Sequence, residues 1–138
     1  MDYKVITQQK VSWGDMDAFG HVNNTVYLKY FESARIEYFA QIPAIGGFVS
    51  AEAIPVLANI SCSYKKPVVY PDVLQMNVMV SKMGSASLEM TCDMVSPTLG
   101  LAAQASCTIV MIDPKKGRSV RIPEHWRTAI EEVEGKSY

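Results

Sequence analysis

The spacing of apolar residues changes period once along this chain, and that change dictates its architecture. Between residues 24 and 40, Tyr27, Tyr30, Phe31, Ala34 and Tyr38 fall on one helical stripe, with Lys29, Glu32 and Ser33 opposite. From residue 54 onward the period is two. Ile54, Val56, Ala58, Ile60, Cys62 and Tyr64 are expected on one face of a strand, with Asn59, Ser61 and Ser63 on the other. Leu74, Met76, Val78 and Val80 then alternate with Gln75, Asn77 and Ser81, and Leu88, Met90, Cys92 and Met94 with Glu89, Thr91 and Asp93. A strand of small and branched residues follows from Leu101 to Ile112, after a turn marked by Pro97 and Gly100. A short strand within residues 3–12 precedes the helix, and Pro123 opens a short amphipathic helix carrying Trp126, Ile130 and Val133. Asn23 is placed to cap the long helix, which should end before Pro43 and the Gly46–Gly47 pair after about 25 Å. One long early helix followed by a run of antiparallel strands predicts an α+β fold with the helix on one face of the sheet.

Composition narrows the function. At 138 residues the chain fits a single domain, 1–138, with a core that needs no disulfide or metal. A net charge of −1 argues against a nucleic-acid partner held through phosphates. No apolar run is long enough to cross a bilayer, and MDYKVITQQK lacks the apolar core of a secretion signal. The expected location is cytoplasmic, with no membrane partner. Cys62, Cys92 and Cys107 match neither a zinc motif nor a redox pair, and read as reduced, buried thiols. His21 and His125 are too isolated for a metal centre, so no metal is expected.

The chemistry concentrates in W-G-D-M-D-A-F-G-H-V-N-N-T-V-Y, residues 13–27. Here two acids, a glycine, a histidine and two asparagines crowd the entrance of the long helix. Free N–H groups at a helix start attract developing negative charge, and a nearby carboxylate can attack a carbonyl or activate water.

The order strand, D-x-D-x-x-G-H-V-N-N-x-x-Y, long helix, four strands resembles the 4-hydroxybenzoyl-CoA thioesterase-like family of hot-dog folds, over roughly residues 5–125. The segment Tyr64-Lys65-Lys66-Pro67 with Tyr70-Pro71-Asp72 is similar to the family's strand-turn-strand element. The resemblance implies an antiparallel sheet wrapped around the long helix, with a short C-terminal helix. It implies an acyl-CoA thioesterase in which Asp17, the second acid of D-x-D, attacks the thioester carbonyl or activates water. The Asn24 backbone N–H would polarise the carbonyl oxygen, and His21 and Asn23 would belong to the site. The histidine departs from the 4-hydroxybenzoyl pattern and brings H-V-N-N closer to enzymes acting on fatty acyl groups. Coenzyme A enters as part of the substrate, with no separate cofactor. The resemblance further implies a homodimer or homotetramer with the site between subunits, and a backbone run past the pantetheine arm at Gly84-Ser85.

Each assignment has a plainer rival. Asp17 could be a turn or capping carboxylate, and His21 could only fix the loop. Asp15 reads as structural, and Gly20 as permitting a backbone conformation or a close substrate approach closed to other residues. Glu32 is a rival acid on the polar side of the helix. Lys65, Lys66, Lys82 and Arg118 are candidates for the coenzyme A phosphates, though basic residues at strand ends are commonly solvated turns. Among functions, an acyl carrier protein thioesterase, a hot-dog dehydratase and a silent acyl-CoA-binding module stand beside acyl-CoA hydrolysis.

Overall fold

The computed structural model describes residues 2–42 and 53–138. Along the chain run β1 (Val5–Lys10), α1 (Asn24–Ala40), β2 (Ile54–Tyr64), β3 (Val73–Met83), β4 (Ser87–Ser96), β5 (Gly100–Ile112) and α2 (Glu124–Glu134). The strands form one antiparallel sheet in the order β1-β3-β4-β5-β2, so β1 and β2 are its edges. Pro43 and the Gly46–Gly47 pair, proposed as the stop after α1, lie outside the described residues. α1 itself ends at Ala40, with Gln41 as its C-cap.

Period two becomes a two-faced sheet. Leu74, Met76, Val78 and Val80 of β3 and Leu88, Met90, Cys92 and Met94 of β4 are buried. They face α1, whose Tyr27, Tyr30, Phe31, Ala34 and Tyr38 are buried against them, as the helical stripe predicts. The outer face carries Ser61, Ser63, Thr91, Asp93, Gln104 and Ser106 around a shallow polar cavity. α2 closes one end: Trp126 and Ile130 are buried, Val133 packs against the core, and Phe39 and Trp126 stack with ring centres 5.5 Å apart.

One strand departs from the expected phase. The pairing of β2 with β5 shifts between Leu57 and Asn59, leaving Ala58 unopposed in a bulge. Before the bulge Leu57 opposes buried Ile109; after it Ile60, Cys62 and Tyr64 oppose Cys107, Ala105 and Ala103 on the same inner face. Ile54 and Val56 therefore turn outward and do not share a face with Ile60, Cys62 and Tyr64. Cys92 and Cys107 are buried, whereas Cys62 is only half-buried; all three thiols are free. Burial pushes the Cys92 thiol up to about 12.

Candidate active site

The stretch between β1 and α1 is held by its own polar residues. Trp13–Asp15 form a short 3-10 turn. The Asp15 carboxylate accepts from the Ser12 N–H at 3.0 Å and the Tyr30 hydroxyl at 2.5 Å, and the Asp15 carbonyl accepts from the Asn23 N–H at 3.0 Å. Asp15 thereby ties the loop to the buried side of α1. Burial, reinforced by that carboxylate, raises the Tyr30 phenol and keeps it a donor.

Asp17 begins a tight reversal. Its N–H donates to the His21 carbonyl at 2.8 Å, and its carbonyl accepts from the Gly20 N–H at 3.1 Å. Gly20 has φ +84°, a left-handed conformation that favours glycine. The Asp17 Oδ1 accepts from the Phe19 N–H at 2.9 Å and the His21 N–H at 3.4 Å. Those bonds engage one oxygen in the turn; no described residue donates to Oδ2.

The helix start comes up against this turn. The Asn23 side chain caps α1, accepting from the Thr25 N–H at 3.0 Å and the Thr25 hydroxyl at 2.9 Å, while the Asn23 carbonyl accepts from the Val26 N–H at 2.9 Å. The Asn24 N–H, first of the helix, has no acceptor among the described residues. At the other side the Tyr64 hydroxyl donates to the Asn24 carbonyl at 2.9 Å. Its ring meets that of Tyr27 edge to face, 5.1 Å between centres.

These groups line one open cavity of about 330 Å³. It brings together Asp17, His21, Asn24, Lys65 and Lys66, five of the ten residues that the sequence offered for catalysis or coenzyme A, with Tyr27 and Tyr64 as aromatic walls. Lys65 and Lys66 reach it because both their N–H groups bond the Ala102 carbonyl, at 2.8 and 3.0 Å, which turns the chain off the end of β2. Asn23 stands just outside as the cap. Lys82 and Gly84 line a different cavity of about 250 Å³ beyond the β3–β4 turn. There Lys82 pairs with Glu89 at 3.7 Å, and the Ser85 carbonyl accepts from the Ile122 N–H at 2.8 Å. Glu32 lies on neither cavity. Tyr64 is a wall residue that the sequence named only as a strand position and within the strand-turn-strand element, with no role at the site; its position beside the lysine pair, at the last inward step of β2, was the available signal.

A free carboxylate oxygen, an unpaired helix N–H and two lysines around one cleft suit attack on a carbonyl carbon while its oxygen gathers negative charge. The pattern of the Thioesterase-like superfamily matches residues 11–130. The long-chain acyl-CoA thioesterase FadM of Escherichia coli (strain K12) is 28% identical over 131 residues, covering 92% of this chain and 97% of FadM. A thioesterase from Thermus thermophilus, solved complexed with coenzyme A and Zn, superposes with a TM-score of 0.84 at 30% identity, covering 99% of this chain and 98% of that one. The PA2801 protein of Pseudomonas aeruginosa gives a TM-score of 0.82 at 30% identity, over 94% and 99% of the two chains. Because the family match runs from the residue after β1 into α2, it takes in every wall of the cleft, and the chain belongs to the thioesterase-like superfamily as a hot-dog thioester hydrolase.

Proposed function

We propose that this chain hydrolyses an acyl-CoA thioester, with Asp17 as nucleophile or general base and the Asn24 N–H as donor to the carbonyl oxygen. One observation carries the reading: Asp17 and Asn24, whose N–H has no acceptor among the described residues, line the same cleft. In the nucleophilic route Oδ2 adds to the carbonyl carbon, the C–S bond breaks and the thiolate leaves, taking up a proton. Water then opens the resulting anhydride and regenerates the carboxylate. In the general-base route the carboxylate takes a proton from water as that water attacks the carbonyl carbon; the C–S bond then breaks and the departing thiolate takes up that proton. Neither route requires a metal, since a thioester carbonyl is already electrophilic.

The substrate class follows relatives whose names record it, FadM with long-chain acyl-CoA and the Thermus protein with bound coenzyme A. Lys65 and Lys66 are the proposed phosphate contacts, beside the cleft and exposed. Lys82, Gly84 and Ser85 stand apart from Asp17 within one chain, so any role for them at the thioester belongs to a second subunit. His21 orients water or substrate, and Asn23 acts through the cap that holds the Asn24 N–H in place. The enzyme works as a homodimer or a tetramer of dimer pairs.

Thiol release from a panel of acyl-CoAs tests this, comparing the wild type with Asp17→Asn. The amide keeps the Oδ1 acceptor of the turn and removes the anionic oxygen, so folding should survive. The expected loss of turnover is about 10²–10⁴-fold. Equal turnover would refute the role of Asp17, and acyl-CoA binding with no turnover in the wild type would make the chain a silent binding module.

A further inference from the structure

The first two peptide groups of α1 are bonded differently. The one joining Asn23 to Asn24 has its carbonyl on the Val26 N–H at 2.9 Å, while its own N–H has no acceptor among the described residues. The one joining Asn24 to Thr25 is held at both ends. Its N–H donates to the Asn23 side chain at 3.0 Å, and its carbonyl accepts from the Tyr64 hydroxyl at 2.9 Å. Of these bonds, that of Tyr64 alone reaches beyond residues 23–26, and it ties the turn to the sheet.

The Asn24 carbonyl does not need that bond to be satisfied. Helix geometry already gives it the N–H four residues on, and Asn24 sits at an exposed position, so losing the hydroxyl strands no buried group. Packing does not need the hydroxyl either. The Tyr64 ring meets Tyr27 edge to face with centres 5.1 Å apart, a contact that phenylalanine would keep. Burial, with Cys62 beside it, raises the Tyr64 phenol, so the group stays a protonated donor at neutral pH. What the bond does fix is the start of α1 relative to β2, whose last residue is Tyr64. Lys65 and Lys66 follow at once, both N–H groups on the Ala102 carbonyl. One side chain thus joins the wall offered to the coenzyme A phosphates to the residue whose N–H is the oxyanion donor. The bond lies within one chain, and a second copy pairing along β2 would engage backbone groups rather than this hydroxyl.

We propose that Tyr64 is a positioning residue of the thioester reaction, holding the first residue of α1 so that the Asn24 N–H meets the carbonyl oxygen as its charge develops. The inference rests on the reading of Asn24 given above and adds the group that keeps this donor in register. Such donation is exacting. The donor must stand about 2.7–3.1 Å from where the oxyanion will be, and the first turn of a helix is the part with fewest bonds of its own. A hydroxyl anchored in the sheet restrains that turn without engaging the N–H, because it bonds the carbonyl on the far side of Asn24.

A double-mutant cycle on thiol release from acyl-CoA tests this, with Tyr64→Phe placed in the wild type, in Asn24→Ala and in Asn24→Pro. Tyr64→Phe alone should lower kcat roughly three- to tenfold, the worth of one neutral hydrogen bond, with KM and melting temperature close to wild type. The same loss is expected in Asn24→Ala, which keeps the N–H. In Asn24→Pro, which has none, Tyr64→Phe should lower kcat no further. A role in packing alone would not vanish with the N–H. Wild-type kcat in Tyr64→Phe, a loss carried by KM, or an equal loss in Asn24→Pro would each overturn the proposal and leave Asn24 as the donor. Equal kcat for Asn24→Pro and Asn24→Ala, or a wild type without turnover, would instead remove the donor itself, and the role of Tyr64 with it.

Discussion

At the scale of the residue, Asp17 divides its work between two oxygens. Oδ1 closes the turn through the Phe19 and His21 N–H groups, so the turn reading and the catalytic reading of this acid describe different atoms of one side chain. Asn24 permits a sharper separation. It is the first residue of α1, where proline is accepted because its missing N–H has no helical partner. Asn23, at φ −59° and ψ 138°, already has the extended backbone required before a proline. Asn24→Pro should therefore leave thermal stability close to that of Asn24→Ala while cutting kcat about 10²–10³-fold further, the cost of one lost donor to a developing oxyanion. Parallel melting curves and steady-state kinetics on the two variants measure this; equal kcat values would remove the Asn24 N–H from the mechanism. Asp17, Gly20 and Asn23 were legible in sequence because each acts on neighbours within a few residues. Tyr64 and Arg35 were not. Tyr64 matters through a bond to Asn24, forty residues away, and Arg35 is a charge at a core position that only packing could reveal.

At the scale of the element, β3, β4 and the apolar face of α1 followed from periodicity because each buries an uninterrupted set of positions. β2 did not, since one unopposed residue at Ala58 inverts everything upstream of it and spacing alone carries no mark of a bulge. α2 was legible as an amphipathic helix, but its last turn hides a buried carboxylate. Glu134 accepts from the Tyr38 hydroxyl at 2.6 Å and from the Val80 N–H at 3.1 Å, fastening α2 to α1 and β3 together. Tyr38→Phe should cost about 1.5–3 kcal/mol, the range for a hydrogen bond to a charged group, read by denaturant unfolding. Burial first, and Glu134 second, raise the Tyr38 phenol above its ordinary value. A phenol raised in the folded state favours its protonated form, so its contribution is complete below the unfolded value near 10 and is lost as pH climbs beyond it. An alkaline titration of phenolate absorbance should show Tyr38 ionising only with unfolding, and Tyr3, pushed up to about 12 by burial and Asp93, lagging the ordinary range. All seven tyrosines ionising together near pH 10 in the folded protein would contradict this packing.

At the scale of the whole molecule, the sheet has unequal edges. β1 offers six residues, whereas β2 offers eleven and exposes Val56 and Tyr64 beside its unpaired backbone. A long edge with apolar side chains is a template for another strand unless something covers it, and two copies related by a two-fold axis would cover each other. The division of the sequence-derived site points the same way. Asp17, His21, Asn24, Lys65 and Lys66 share one cleft, while Lys82 and Gly84 line another that a single chain does not join to it. If the partner supplies the second group, two defects on different chains should complement. Asp17→Asn and Lys82→Glu are each expected to lower acyl-CoA turnover. Mixing the two after dissociation and reassociation should form hybrid dimers in which one cleft has both residues intact, restoring up to about a quarter of wild-type activity if exchange is random and the sites work independently. Val56→Lys with Ala58→Lys, which places charge on the open edge, should shift sedimentation toward the mass of one chain and lower turnover with it. Full activity at the mass of a single chain would remove the partner from the site, and mixtures no more active than the average of their parents would remove Lys82 from the shared cleft.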